Sequence, residues 1–336
     1  MNDFFYQMTA PRTLVRQPLA MAADAPGPGR IVARTLVSAI SPGTELAAYR
    51  GEPPLRPGPI YPRLMGYCNV AEITAVGSDV KTWRPGRRIL TFQSHRSAFE
   101  CRAEDVVCEV PGDMDAASAA VAYLFHLGYS ALIRAAVLAG SRVAVVGLGC
   151  LGLTAVAVAR MAGCSVTAYS DLAERDALAL RFGARAVRRK AGLTEPMIAE
   201  DGGATGFDVV VDTSNRWEDW FLSLRLARKG GAVCVVGFPG RAQAAPSENP
   251  LASQWFYDKQ LALIACGQLP ETPVPVWENR FIVSRNCAYL MEQIRLGVLP
   301  AAGLVSKRVP AAELESVYRS LDQRDSGVVT AVLEWT

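Results

Sequence analysis

Residues 141–171 read SRVAVVGLGCLGLTAVAVARMAGCSVTAYSD, and the fold of the chain turns on them. Arg142 to Val146 is an apolar run of strand length, Gly147 to Gly152 is a glycine turn, LTAVAVARMAG has helical composition, and Ser165 to Tyr169 is a second apolar strand. In such a unit the first glycine (Gly147) permits the tight turn. The second (Gly149) lets the backbone approach a pyrophosphate, and the third (Gly152) lets the helix pack closely on the sheet. The free N–H groups and positive dipole end of the helix favour phosphate, with Cys150 and Leu151 completing the turn. A G-x-G-x-x-G hexapeptide alone is a glycine-rich turn of any α/β protein. Flanked by strand and helix, with a second strand ending about 20 residues on, it points to a dinucleotide site for NAD or NADP.

Working outward, SVTAYSD, FDVVVDTSN, GGAVCVVGF and LALIACG are apolar strands of the doubly buried kind. AERDALALRFG and WEDWFLSLRLARKGG are intervening helices. The alternation predicts an α/β doubly wound parallel sheet. The first third differs: RIVARTLVSAI, NVAEITAVGSDV and RRILTF are separated by APGPGR, GEPPLRPGPIYP and WRPG turns, which suits a compact β-barrel-like domain. Between the two lies one long predicted helix, DAASAAVAYLFHLGYSALIRAAVL, entered at Asp115 and left at Gly140. The tail carries two amphipathic helices, RNCAYLMEQIRLGVL and AAELESVYRSLDQRD, and a final strand, TAVLEWT, expected to return to the first domain. The proline-rich insert QLPETPVPVWENRF places Trp277 and Phe281 where they line a cleft or simply pack.

At 336 residues and 50% hydrophobic content the chain can bury a large core and by size forms about two domains. Lys plus Arg (35) nearly balance Asp plus Glu (32), so no field argues for nucleic acid or an anionic membrane. No run is expected to reach the ~18 apolar residues of a membrane span, and the N-terminus has no leader pattern; the expected location is cytoplasmic. The eight cysteines (Cys68, Cys101, Cys108, Cys150, Cys164, Cys234, Cys266, Cys287) are dispersed with no CxxC pair. Reduced thiols inside apolar segments act as small hydrophobes. A structural zinc needs closely spaced thiolates, and none is expected.

The order of parts resembles the medium-chain dehydrogenase/reductase superfamily. The carriers are SAISPGTELAAYRG, LMGYCNVAEITAVGSDVKTWRPGRRI, the GLGCLG unit, LRFGA, FDVVVDTSN and SKRVPAAELESVYRSL, six motifs in the superfamily's order. The resemblance implies a GroES-like β-barrel domain for substrate and catalysis, 1–122 completed by 291–336, and a Rossmann domain over 123–290. It also implies a homodimer partner through LALIACG. Zinc-dependent members place a Cys before Gly-Thr-Asp, a His and a Glu after the glycine of the second motif, and a Cys or acid on the helix before the glycine turn. Here those places hold Pro42 before Gly43-Thr44-Glu45, Gly66-Tyr67-Cys68, and a position close to Tyr123. Pro42 and Tyr67 are not zinc ligands. Cys68, Glu45 and His126 are an alternative ligand set. The sequence resembles the zinc-free branch, within it the bacteriochlorophyllide-dehydrogenase-like group, and no metal is expected.

Hydride transfer to a carbonyl still creates negative charge on oxygen, which a preorganised donor must stabilise. Tyr67 and Tyr123 are the leading donors, since a phenol of pKa near ~10 can hydrogen-bond a ketone and protonate an alkoxide. The alternative for each is an aromatic that fills the space of a lost metal, with its hydroxyl on a backbone carbonyl. Thr44, expected beside a turn, matches the hydroxyl that relays the alcohol proton in zinc-dependent relatives. His126 lies three residues after Tyr123 on one helical face and is either a proton shuttle or a core histidine. His95 is expected in a loop at the cleft rim, in contact with substrate or solvent.

For the cofactor, Ser170 stands where NAD-preferring relatives carry a ribose-binding acid, so a 2′-phosphate is admitted and Arg175 is placed to pair with it. Asp171 either holds a ribose hydroxyl or, from its spacing to Glu174, caps the next helix. Thr213, Ser214, Gly237 and Phe238 lie at carboxyl ends of strands, where open α/β sheets bind ligands. NADP is favoured slightly over NAD. These features point to a zinc-independent NAD(P)(H) oxidoreductase interconverting a secondary alcohol and a ketone on a fairly large, partly apolar small-molecule substrate in a specialised biosynthetic pathway. The alternatives are an NADPH-dependent enoyl (C=C) reductase and a non-catalytic cofactor-binding protein.

Overall fold

The computed structural model describes residues 3–20, 26–53, 55, 60–266, 280–323 and 327–335. The chain divides into two compact units, one of residues 1–123, 274–297 and 301–336 and the other of 124–273 and 298–300. The described residues form strands β1–β16 and helices α1–α10, numbered in chain order.

The first unit holds two sheets. β1 (Phe4–Ala10) lies between β2 (Thr13–Pro18) and β4 (Arg63–Leu64). The larger sheet runs β15 (Val305–Pro310), β16 (Thr330–Glu334), β3 (Arg30–Ala39), β5 (Cys68–Val76), β6 (Arg88–Thr91) and β8 (Val106–Glu109), with β7 (Ala98–Arg102) also pairing β3. β3 alternates buried Ile31 and Ala33 with half-exposed neighbours, the period of a strand with one face in the core. The final strand returns here as expected, with Val332 opposite Ala39. Against these sheets pack α1 (Pro42–Arg50), α2 (Ala116–Ala120), α8 (Val283–Arg295), α9 (Ala301–Leu304) and α10 (Leu314–Asp322). α10 buries Leu314, Val317, Tyr318 and Leu321, the i, i+3, i+4, i+7 stripe of an amphipathic helix, in a core with Tyr6, Met8, Tyr49 and Trp335.

The second unit is a six-stranded parallel sheet ordered β11 (Ala186–Arg188), β10 (Ser165–Tyr169), β9 (Arg142–Val146), β12 (Phe207–Asp212), β13 (Ala227–Val235) and β14 (Ala262–Ala265). Its helices are α4 (Cys150–Met161), α5 (Asp176–Arg181), α6 (Glu195–Gly202) and α7 (Trp217–Leu226). The order reverses between β9 and β12, the topological switch point of the doubly wound fold. β9 is buried from Val143 to Val146, which is why it reads as a continuous apolar run.

Several expectations change. The long helix is broken at Val121 into α2, capped by Asp115, which accepts from Ser118 N at 3.0 Å, and α3 (Ala122–Arg134). Residues 116–134 are, by length and composition, long and apolar enough to cross a membrane, against the expectation that no run is. Most of that stretch, 72%, is buried inside the protein, as in a core helix. The segment ARKGG begins β13 and does not extend α7. β11 and α6 escaped notice because the first is three residues of mixed polarity and the second buries only Ile198 and Gly202. Most of the proline-rich insert, Trp277 included, lies outside the described residues; Phe281 is 48% exposed.

Candidate functional site

In the second unit the glycine turn has the predicted geometry. Gly147 adopts φ +92°, in the left-handed region. A Cβ at Gly152 would sit 1.8 Å from the carbonyl oxygen of Gly147, so only glycine lets α4 start there. A Cβ at Gly149 would meet nothing within 4 Å. Open space therefore faces the backbone at the start of α4, where an approaching pyrophosphate needs it, and the turn fits a dinucleotide. Thr213 hydrogen-bonds the turn itself, its hydroxyl lying 3.0 Å from Val146 O and 3.2 Å from Gly147 O. Ser214 donates its hydroxyl to Asp219 at 2.6 Å, and a Cβ at Gly237 would meet Ser214 O at 2.0 Å, so these two strand ends are in backbone contact. Phe238 is 47% exposed, with Arg241 stacked 4.1 Å from its ring centroid. Cys150 is buried, and burial pushes its thiol up to about 12. Asp212, which sequence reading passed over, ends β12 with no exposure; burial first, then the Asp219 charge, push its carboxyl up to about 7.

At the end of β10, Ser170 is buried and its hydroxyl accepts from Leu172 N at 3.1 Å. Two expectations are corrected there. Asp171 does not cap the following helix: its carboxylate accepts from Lys190 N at 2.9 Å and Ala191 N at 3.4 Å, tying β10 to the loop after β11. Arg175 is buried in a 3-10 turn, with its charge acting on Cys150, rather than standing free beside Ser170. Arg189 donates to Ser170 O at 2.9 Å and is paired with Asp176.

In the first unit Thr44 lies in the first turn of α1, not beside a turn. Tyr67 is buried, and its hydroxyl stands 2.5 Å from Ser41 Oγ and 3.4 Å from Thr44 Oγ1. Ser41 was missed because its place before Pro42 reads only as a helix cap. Tyr123 is buried and packed edge-on against Tyr67, ring centroids 5.8 Å apart, and against Phe92 at 4.7 Å. His126, which belongs to the second unit, is buried, and desolvation pushes it down to about 4, so it is neutral at pH 7.

Behind the hydroxyls lies a polar network that sequence reading did not find. His95 is not at a rim: it has no exposure. Its Nε2 lies 2.9 Å from Glu45 Oε2 and its Nδ1 2.8 Å from Ser38 Oγ. Trp335 Nε1 donates to Ser38 Oγ at 2.9 Å, leaving Ser38 its own proton for Nδ1 and the other ring N–H for Glu45. The Glu45 carboxylate also accepts from Tyr318 OH at 2.5 Å and from Ser41 N at 2.6 Å. Burial, then the Glu45 charge, hold the Tyr318 phenol well above its ordinary value. Gly66, at φ +86°, lies under the imidazole, where a Cβ would come within 2.6 Å of the ring. The Glu45 carboxylate of the alternative ligand set is thus engaged by three donors of its own unit. Among the described residues no three His, Cys, Asp or Glu side chains are grouped to hold a metal.

The family model for zinc-binding dehydrogenases matches residues 150–273, a stretch that includes none of Pro42, Tyr67 and Tyr123. The chain is 28% identical over 179 residues to a putative D-xylulose reductase of Agrobacterium fabrum (49% of this chain, 51% of that protein), so it spans about half the length of the first curated relatives it matches. It is 24% identical over 322 residues to the L-galactonate-5-dehydrogenase of Escherichia coli K12, covering 86% of this chain and 88% of the other. The crystal structure of 2R,3R-butanediol dehydrogenase from Bacillus subtilis superposes with TM-score 0.80 at 17% identity over 99% of both chains. The chain has the fold of the medium-chain dehydrogenases/reductases. In sequence the chain is similar to zinc-type alcohol-dehydrogenase-like proteins over part or most of its length.

Proposed function

We propose that this medium-chain dehydrogenase/reductase is a zinc-independent NAD(P)(H)-dependent oxidoreductase that interconverts a secondary alcohol and a ketone. The observation that carries the reading is the Tyr67–Ser41–Thr44 hydroxyl cluster, standing in the two motifs where zinc-dependent relatives carry ligands. Pro42 and the phenols Tyr67 and Tyr123 are not the thiolate, imidazole or carboxylate donors that a catalytic zinc takes, so the donor set does not fit the metal. Bound at the glycine turn, a reduced nicotinamide dinucleotide supplies hydride. Tyr67 then hydrogen-bonds the substrate oxygen and gives it a proton, and the half-exposed Thr44 links that hydroxyl to solvent. Tyr123 packs the Tyr67 ring. NADP is favoured over NAD because the end of β10 carries Ser170 in place of an acid, has Arg189 at its carbonyl, and keeps the Asp171 carboxylate on backbone N–H groups. By likeness to relatives, the edge strand β14 pairs with a second copy, which sedimentation would show as a dimer.

The test is turnover of a panel of secondary alcohols, polyols and ketones with both cofactors, alongside metal analysis of the same sample. The expected result is activity that survives chelation, and a Tyr67→Phe variant slowed about 100-fold, the usual worth of a general acid. Stoichiometric zinc whose removal abolishes turnover would overturn the reading.

A further inference from the structure

Ser41 occupies the N-cap of α1, where a serine hydroxyl ordinarily accepts a backbone N–H of the first turn. It makes no such bond. The Glu45 carboxylate takes the Ser41 N–H instead, at 2.6 Å, closing the helix start from the other side. The Ser41 hydroxyl is thereby released from capping, is 2% exposed, and lies 2.5 Å from the Tyr67 oxygen, while Thr44 stands at the looser 3.4 Å. The contact joins two buried groups that each hold one proton and two lone pairs, so either can donate to the other.

We propose that Ser41 is the positioning residue of Tyr67: its hydroxyl holds the phenol O–H in the resting protein and turns to donate its own proton into the phenolate once the substrate oxygen has taken the Tyr67 proton. The inference rests on the reading of Tyr67 as the acid and goes beyond it by naming what prepares that acid. In ketone reduction a bound reduced nicotinamide dinucleotide would supply the hydride to the carbonyl carbon. The carbonyl oxygen takes the Tyr67 proton, and the phenolate left behind accepts the Ser41 hydrogen bond until solvent returns a proton. In alcohol oxidation the same bond steadies the phenolate that accepts the alcohol proton. Glu45 contributes indirectly, because its carboxylate does the capping that Ser41 would otherwise do.

The test follows Tyr67 itself rather than an unknown substrate. In protein labelled with ¹³Cζ-tyrosine, the resonance missing from Tyr67→Phe is Tyr67, and its titration is compared in wild type, Ser41→Ala and Ser41→Thr. Because the hydroxyl caps nothing, Ser41→Ala should fold as wild type does, which circular dichroism checks. The expected result is a Tyr67 titration displaced upward by about half to one pH unit in Ser41→Ala and restored in Ser41→Thr. On whichever alcohol of the panel turns over, kcat should fall about three- to ten-fold in Ser41→Ala, with KM little changed. A Tyr67 that titrates no lower in wild type than in Ser41→Ala overturns the proposal. The catalytic reading fails separately: a Tyr67→Phe enzyme with undiminished turnover removes Tyr67 from the chemistry, while the titration still decides the dyad.

Discussion

The glycine turn of the second unit and the hydroxyl cluster of the first are built on opposite plans. The turn is made of backbone: Gly147, Gly149 and Gly152 fall within six residues, and its geometry is set by what their missing side chains allow. The cluster is made of side chains held by a network that draws Ser38 from β3, Glu45 from α1, His95 from a loop, Tyr318 from α10 and Trp335 from beyond β16. The first plan tolerates changes around it and fails at single positions. The second spreads its dependence over residues almost 300 positions apart in sequence.

If the network is what holds the first unit's site, removing its centre should produce the largest effect in the molecule. Glu45→Ala leaves the Tyr318 hydroxyl, the His95 N–H and the Ser41 N–H without their acceptor, and the loss expected is about 3–5 kcal/mol. Tyr318→Phe removes one donor and should cost about 1 kcal/mol. Urea unfolding of both variants would show it, and a Glu45→Ala protein as stable as wild type would reduce the network to ornament.

The second unit offers a charge to set beside that one. Asp212 has a folded-state value near 7 against an ordinary 3.8, so between those pH values the native state keeps a proton that the unfolded chain has lost. Its contribution to stability is full below pH 3.8 and disappears as pH rises through 7. Asp212→Asn keeps the oxygen that accepts from Ser214 N and cannot ionise. Relative to wild type, the variant should gain on the order of 2–4 kcal/mol at pH 8 and little at pH 4, read from melting temperatures across that range. Equal pH profiles would show that Asp212 titrates in the folded protein as it does in the unfolded chain.

How far each plan can be read in a sequence follows from its physics. β9, the glycine turn and β10 are legible because strand burial, left-handed φ and close packing are written in neighbouring residues. α10 is legible because Leu314, Val317, Tyr318 and Leu321 repeat at the helical period. Nothing local says that Tyr318 carries its hydroxyl to Glu45, or that His95, one of two histidines, turns inward. The available signals were Gly66, which had to be small beneath the imidazole, and a serine before Pro42 with an acid four residues on. Asp171 misled for the same reason. Its spacing to Glu174 has a capping pattern, but the backbone N–H groups of Lys190 and Ala191, on a neighbouring strand's loop, compete for it and win.

The smallest effects separate two glycines of one turn. Gly152→Ala drives a Cβ to 1.8 Å from Gly147 O, so α4 must retreat from the turn, and about 1–3 kcal/mol of stability should go with dinucleotide affinity. Gly149 has φ −71° and open space before it, so Gly149→Ala strains nothing, and stability should stay within about 1 kcal/mol of wild type. Its methyl group would stand where the pyrophosphate meets the backbone, and affinity should fall about tenfold in a fluorescence titration with NADPH and NADH. A stable Gly149→Ala protein with weakened binding means that the space is kept for a ligand. If that variant binds both dinucleotides as wild type does, the gap at Gly149 is only packing, and the phosphates meet the helix elsewhere.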